Sequence, residues 1–174
     1  TDEEHKYYTG RISFDEFLGI SQNIIKISAC LASPLNKVDV SNEYYERLVQ
    51  KYDYLEIQAH NCEDQIEYNR HLAYLAQKYN KLLIAGTDAH SVDKYYAECR
   101  QLLLYAKHKS YGDEDTFDLT YKSREELENA FRNQDAIPEN LWMEAIDNTI
   151  VMADSVEEFE LDKSLKYPIL YGNH

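Results

Sequence analysis

Residues 82–91 read LLIAGTDAHS, an apolar run that ends in Asp88 and His90 with one residue between them. Side chains alternate along a strand, so this carboxylate and imidazole point the same way while Ala89 points opposite. Together they suit a divalent cation, the Asp contributing charge and the His a borderline-soft nitrogen. An Asp capping the next helix beside an exposed His would be spelled the same way, and D-x-H alone does not separate the two. Neighbouring runs end in similar residues. Asn23 to Ala29 (NIIKISA) leads into Cys30, and residues 53–60 (DYLEIQAH) end in His60. Three adjacent strand ends carrying Cys, His and Asp-x-His make Cys30, Asp88 and His90 the candidate metal ligands. That set suits zinc, with a water or His60 completing it.

Each candidate has a plainer reading. Cys30 is also what a small buried hydrophobe looks like, and His60 also suits a loop hydrogen bond. Glu56 shares the face of His60 and either supports a ligand or pairs with a lysine. Cys62 opens a helix, where the dipole lowers a thiol pKa, but no base accompanies it. Cys99 reads as mid-helix core. His5, His71, His108 and His174 lack ligand-like neighbours and read as surface. No catalytic nucleophile or general base stands out.

The elements that must position these residues alternate between strand and helix. Strands are expected near residues 24–28, 54–58 and 82–85, with Leu55 and Ile57 on one face of the second and Glu56, Gln58 and His60 on the other. Helices are expected from a Ser41 cap through Tyr52, from about Glu63 to Tyr79 on a Leu72–Leu75–Ala76–Tyr79 stripe, and from about Lys94 to Lys107. Ser123 and Glu126 stand in capping-box spacing. Pro138 suits the start of a last helix, with Trp142, Ile146, Ile150 and Ala153 on one side. The tail from Leu165 has no clear structure of its own. Strand–helix alternation predicts parallel neighbours in one sheet, with Cys30 and the Asp88–His90 pair at the same edge.

Composition limits the function classes. With a net charge of −14 over 174 residues, the chain is a poor nucleic-acid clamp, because phosphate backbones need Lys and Arg. The 16 tyrosines therefore read as packing and surface residues rather than a base-stacking platform. The 3 cysteines form no CxxC pair and no even set, so a reducing, cytoplasmic setting is expected. No apolar run is long enough to span a membrane. The chain starts at Thr1 rather than Met and reads as a piece of something longer.

Three stretches, NIIKISACLASPL, YLEIQAHNCEDQIEYNRHLAYLAQKYNKLLIAGTDAH and YKSREELENAF with IPENLWMEAIDNTIVMADSVEEFEL, together resemble the PHP (polymerase and histidinol phosphatase) domain of bacterial DNA polymerase III alpha subunits. The resemblance implies an α/β fold, part of a distorted (β/α)7 barrel: residues 1–110 as its second half, residues 111–174 as a helical extension leading towards the polymerase palm. It implies Cys30, Asp88 and His90 as ligands of a divalent metal, zinc or manganese, in a site linked to 3′–5′ exonuclease or phosphoesterase chemistry. The family's His-x-His motif and the acid that bridges its metals are absent, so the site is expected to be incomplete and the segment alone inactive. No polymerase catalytic aspartates are recognisable. The implied partners are the remainder of a polymerase chain and, through its other domains, DNA. A stand-alone PHP phosphoesterase and a non-catalytic scaffold are the alternatives.

Overall fold

The computed structural model describes residues 6–7, 9–39, 41–112 and 116–164. The expectations for His5, His174 and the tail from Leu165 lie outside them. Two short strands, β1 (Lys6–Tyr7) and β2 (Thr9–Gly10), pair antiparallel. They are followed by α1 (Phe14–Gly19), α2 (Pro34–Lys37), α3 (Glu43–Lys51), β3 (Tyr54–Gln58), α4 (Glu63–Tyr79), β4 (Leu82–Gly86), α5 (Lys94–Ala106), α6 (Arg124–Gln134) and α7 (Glu139–Asp154).

Local signals set many of these boundaries. Ser123 and Glu126 form the expected reciprocal capping box at α6, and Pro138 precedes α7. Asn80, at φ 51°, closes α4 in the left-handed conformation that Asn tolerates. At α3 the cap is Asn42, whose side chain accepts from Tyr44 N–H at 2.9 Å, and not the expected Ser41. Ser41 is already engaged, since its N–H and hydroxyl both donate to Asp39 Oδ1, at 2.8 and 2.7 Å.

Strands β3 and β4 pair in parallel, with Tyr54 opposite Leu82 and Gln58 opposite Gly86, so both carboxyl ends fall at one edge. The expected first strand does not form. Residues 23–29 contribute one parallel bridge, Ile27 to Tyr54. Beyond it Glu56 N–H donates to the Ser28 hydroxyl at 2.8 Å instead of a main-chain carbonyl, and Ala29, at φ 60°, turns the chain away. Among the described residues the parallel sheet therefore has two strands and does not close, which overturns the expected part of a (β/α)7 barrel. Where further strands would lie, helices take over. α7 packs against β4, and Asn148 Nδ2 donates to the Leu83 carbonyl at 2.8 Å.

One apolar cluster joins the sheet to these helices. Leu55, Ile57 and Leu72 are fully buried, and Phe131 stacks on Trp142 with ring centroids 5.9 Å apart. Gln58 and His60 are buried as well, so β3 is covered on both faces. The buried side of α7 consists of Trp142, Ala145, Ile146 and Asn148, whereas Ile150 is 59% exposed and Ala153 is exposed, contrary to the expected stripe. Cys99 is exposed rather than core, because α5 buries no residue at all. His108 is exposed as expected, but His71 is half-buried and meets the Tyr45 hydroxyl at 2.5 Å. No helix among the described residues is long and apolar enough to cross a membrane.

The two ends of the sheet differ in charge. At the amino ends, buried Lys26 pairs with Asp53 at 2.8 Å, and Lys81 Nζ donates to the carbonyls of Gln50 and Tyr52, each at 2.7 Å. Acids and imidazoles collect at the carboxyl ends.

Candidate functional site at the carboxyl ends of β3 and β4

β3 runs out through Ala59 to His60, and β4 through Thr87 to Asp88. Asp88 adopts φ 49°, a left-handed conformation uncommon for a residue other than glycine, though Asp is among those that tolerate it. Strand alternation therefore does not carry Asp88 and His90 to one face, since the strand has ended at Gly86. His90 is placed instead by main-chain bonds. The N–H groups of His90 and Ser91 donate to the Leu119 carbonyl at 2.8 and 3.1 Å, and Tyr121 N–H returns a bond to Ser91 at 2.8 Å.

The result puts the Asp88 carboxylate between two imidazoles. Its Oδ1 lies 3.5 Å from His90 Nε2 and its Oδ2 lies 3.8 Å from His60 Nε2. His60 is 9% exposed, and its Nε2 is buried without a hydrogen-bond partner. Its ring stacks on Phe117, with centroids 4.5 Å apart and planes 15° from parallel. Burial lowers the His60 pKa, with Asp88 opposing the shift, so the neutral ring is favoured. A neutral imidazole is the form that ligates metals.

Glu56 lies behind this pair. Burial raises its pKa, Gln58 Nε2 works against the rise by donating to Oε1 at 2.7 Å, and the Asp88 charge adds to it. Gly86 gives the carboxylate its space, because a Cβ there would overlap Glu56 Oε1. Behind Gln58 runs a buried amide network. Asn69 Nδ2 donates to the Gln58 carbonyl at 2.7 Å and to Gln134 Oε1 at 2.8 Å. Gln134 Nε2 donates to the carbonyls of Gln58 and His60 at 3.0 and 2.6 Å. Gln65 Nε2 donates to Asn69 Oδ1 at 2.9 Å.

Cys30 lines the same cleft of about 620 Å³ as Asp88, with Gln58, Cys62 and Phe117 also in its wall. The structure thus gathers Asp88, His90 and His60 in pairwise approach and puts Cys30 on the same cleft. Among the described residues, however, no group of three or more His, Cys, Asp or Glu side chains adopts a geometry that could hold a metal ion. The orphaned His60 Nε2 facing a carboxylate is a fit for a cation in kind, while the donor set is incomplete. Sequence reasoning missed Phe117, Asn69 and Gln134. Their residue types carry no local signal for a site, and only the tertiary fold brings them to the strand ends.

No protein-family model matches the chain. Curated relatives do. The chain is 24% identical over 170 residues to the DNA polymerase III subunit alpha of Borreliella burgdorferi, an alignment covering 89% of this chain and 14% of that protein. It is 27% identical over 185 residues to the DNA polymerase III subunit alpha of Aquifex aeolicus, covering 95% of this chain and 15% of that protein. The chain thus spans about one seventh of the length of these relatives, and along nearly all of its own length it is similar to a segment of the DNA polymerase III alpha subunit.

Proposed function

We propose that this chain is the PHP-domain segment of a DNA polymerase III alpha-type subunit, acting in cytoplasmic DNA replication as part of a longer polypeptide. Similarity along 89–95% of the chain supports the parentage. The observation that carries the site reading is Asp88 facing His60 Nε2, a buried nitrogen with no hydrogen-bond partner. Asp88, His90 and His60, with Cys30 on the same cleft, form one side of a site for zinc or manganese whose remaining ligands come from outside this segment. A divalent ion bound there would supply an activated water and charge stabilisation at a phosphate, the chemistry of phosphodiester hydrolysis. This chain's own residues hold the ion's side of the cleft. Burial keeps His60 neutral and Phe117 fixes its ring, while Leu119 anchors His90. Contact with DNA belongs to other parts of the parent chain.

A titration of Mn2+ into the 174-residue protein, followed by electron paramagnetic resonance, tests the site. Weak binding of at most one ion, lost in Asp88→Ala, is the expected result, together with no nuclease activity. Identical titrations for the two proteins would overturn the site reading. The incomplete donor set favours a second reading, a scaffold that no longer performs chemistry. Metal content of a longer protein carrying this segment separates them, since a scaffold would carry none.

A further inference from the structure

We propose that Gln134, at the end of α6, is a positioning residue for the His60–Asp88 pair; this rests on reading that pair as the working part of the site. Gln134 is 5% exposed, and both hydrogen bonds donated by its carboxamide go to the main chain at the end of β3. Its Nε2 holds the carbonyls of Gln58 and His60, at 3.0 and 2.6 Å, and its Oε1 accepts from Asn69 at 2.8 Å. Those two carbonyls flank Ala59: Gln58 is the last residue of β3 paired with β4, and His60 lies beyond that pairing. The main chain at His60 therefore takes its position from a helix 74 residues further along. From that anchor the imidazole reaches Phe117 on its face and Asp88 at its edge, 4.5 Å to the ring centroid and 3.8 Å to Oδ2. The second amide anchor of this helical layer, Asn148 on the Leu83 carbonyl, holds β4 near its start instead. The two anchors are alike in chemistry and differ in what they place.

The ring stack provides a readout that stability alone does not move. Phe117 displaces the His60 Cε1–H resonance by its ring current, and the loss of that displacement in Phe117→Leu assigns the signal. In Gln134→Ala the His60 resonance should lose most of the displacement, while in Asn148→Ala it should keep it, even where the two variants lose similar melting temperature. Gln134→Glu keeps the length but turns the donor into an acceptor facing two carbonyls, and should behave as Gln134→Ala does. If Gln134→Ala does not fold, Gln134→Met, of matching length, takes its place. A His60 resonance unchanged in the Gln134 variants, or changed equally in Asn148→Ala, would overturn the proposal. In the Mn2+ titration the Gln134 variants should bind about tenfold or more weakly than the unsubstituted protein, the usual effect of removing a group that orients a ligand. Failure of Asp88→Ala to alter Mn2+ binding would sink the metal reading alone, because the ring-current comparison needs no metal.

Discussion

Gly86 and Glu56 are packed main chain against carboxylate, so closely that a Cβ on residue 86 would overlap Glu56 Oε1. A carboxylate is the flexible end of a side chain and could often swing away. Here Gln58 Nε2 holds it at 2.7 Å. Gly86→Ala should therefore destabilise the protein by about 1–3 kcal/mol, the usual range for an added methyl that must displace its neighbours. Removing the obstacle should recover much of the loss. Urea denaturation of Gly86→Ala, Glu56→Ala and the double variant gives the coupling. Purely additive losses would mean that the two residues do not meet as described.

The buried tyrosines set an alkaline limit. Burial pushes the Tyr68 and Tyr45 hydroxyls up to about 12, and for Tyr45 the neighbouring Tyr79 adds to the effect. In the unfolded chain both ionise near 10. Their folded values are raised, so their contribution is complete below pH 10 and is lost as pH climbs towards about 12, where the unfolded chain sheds protons that the folded chain keeps. Tyr68 should cost roughly 2–3 kcal/mol across that window, and Tyr45, whose hydroxyl is less enclosed and more screened, should cost less. The urea midpoint should fall steeply above pH 10 and less steeply in Tyr68→Phe. A flat profile to pH 12 would contradict this burial.

What the sequence disclosed depended on how local the cause was. The capping box of Ser123 and Glu126 and the Leu72–Leu75–Ala76 stripe need only their own turns of helix, and α6 and α4 form where these signals place them. NIIKISA has the composition of a strand, but its pairing fails through Ser28 and Ala29, whose hydroxyl and backbone turn no propensity reveals. The stripe read along α7 assumed a partner for its full length. The buried side of α7 ends at Asn148, and Ile150 is exposed. Asp88 and His90 do come together, though through the Leu119 anchor rather than strand alternation. Asn69 and Gln134 look in sequence like solvated helix faces, and their roles exist only once the end of β3 meets both α4 and α6.

Charge makes a prediction about nucleic acid. At a net charge of −14 the protein can neutralise few phosphates, and the strand-end cleft itself presents Asp88 and Asp64. Labelled single-stranded DNA should show negligible binding to the 174-residue protein at physiological salt. Binding that is tight and weakens with added salt would reveal a basic groove that the overall charge hides.

Asn69 offers the sharpest test of the buried network. Its side chain is fully buried and makes four contacts: Oδ1 accepts from Gln58 N–H at 3.3 Å and Gln65 Nε2 at 2.9 Å, while Nδ2 donates to the Gln58 carbonyl and Gln134 Oε1. Asn69→Asp keeps the shape but turns that nitrogen into an oxygen facing two acceptors. Protonated, the new carboxyl could still donate to one of them. Ionised, it would be a buried charge beside two oxygens, which costs several kcal/mol. Its folded pKa must therefore rise above the unfolded value, and the sign follows: the variant is least impaired below the unfolded carboxyl pKa and loses stability as pH rises towards neutrality. Asn69→Leu, which has no charge to lose, should be destabilised at every pH by about 3 kcal/mol or more, having orphaned Gln58 N–H and Gln134 Oε1. Thermal melts of both variants from pH 4 to pH 8 check this. A melting temperature for Asn69→Asp that tracks the unsubstituted protein across that range would show that residue 69 is not enclosed by these acceptors.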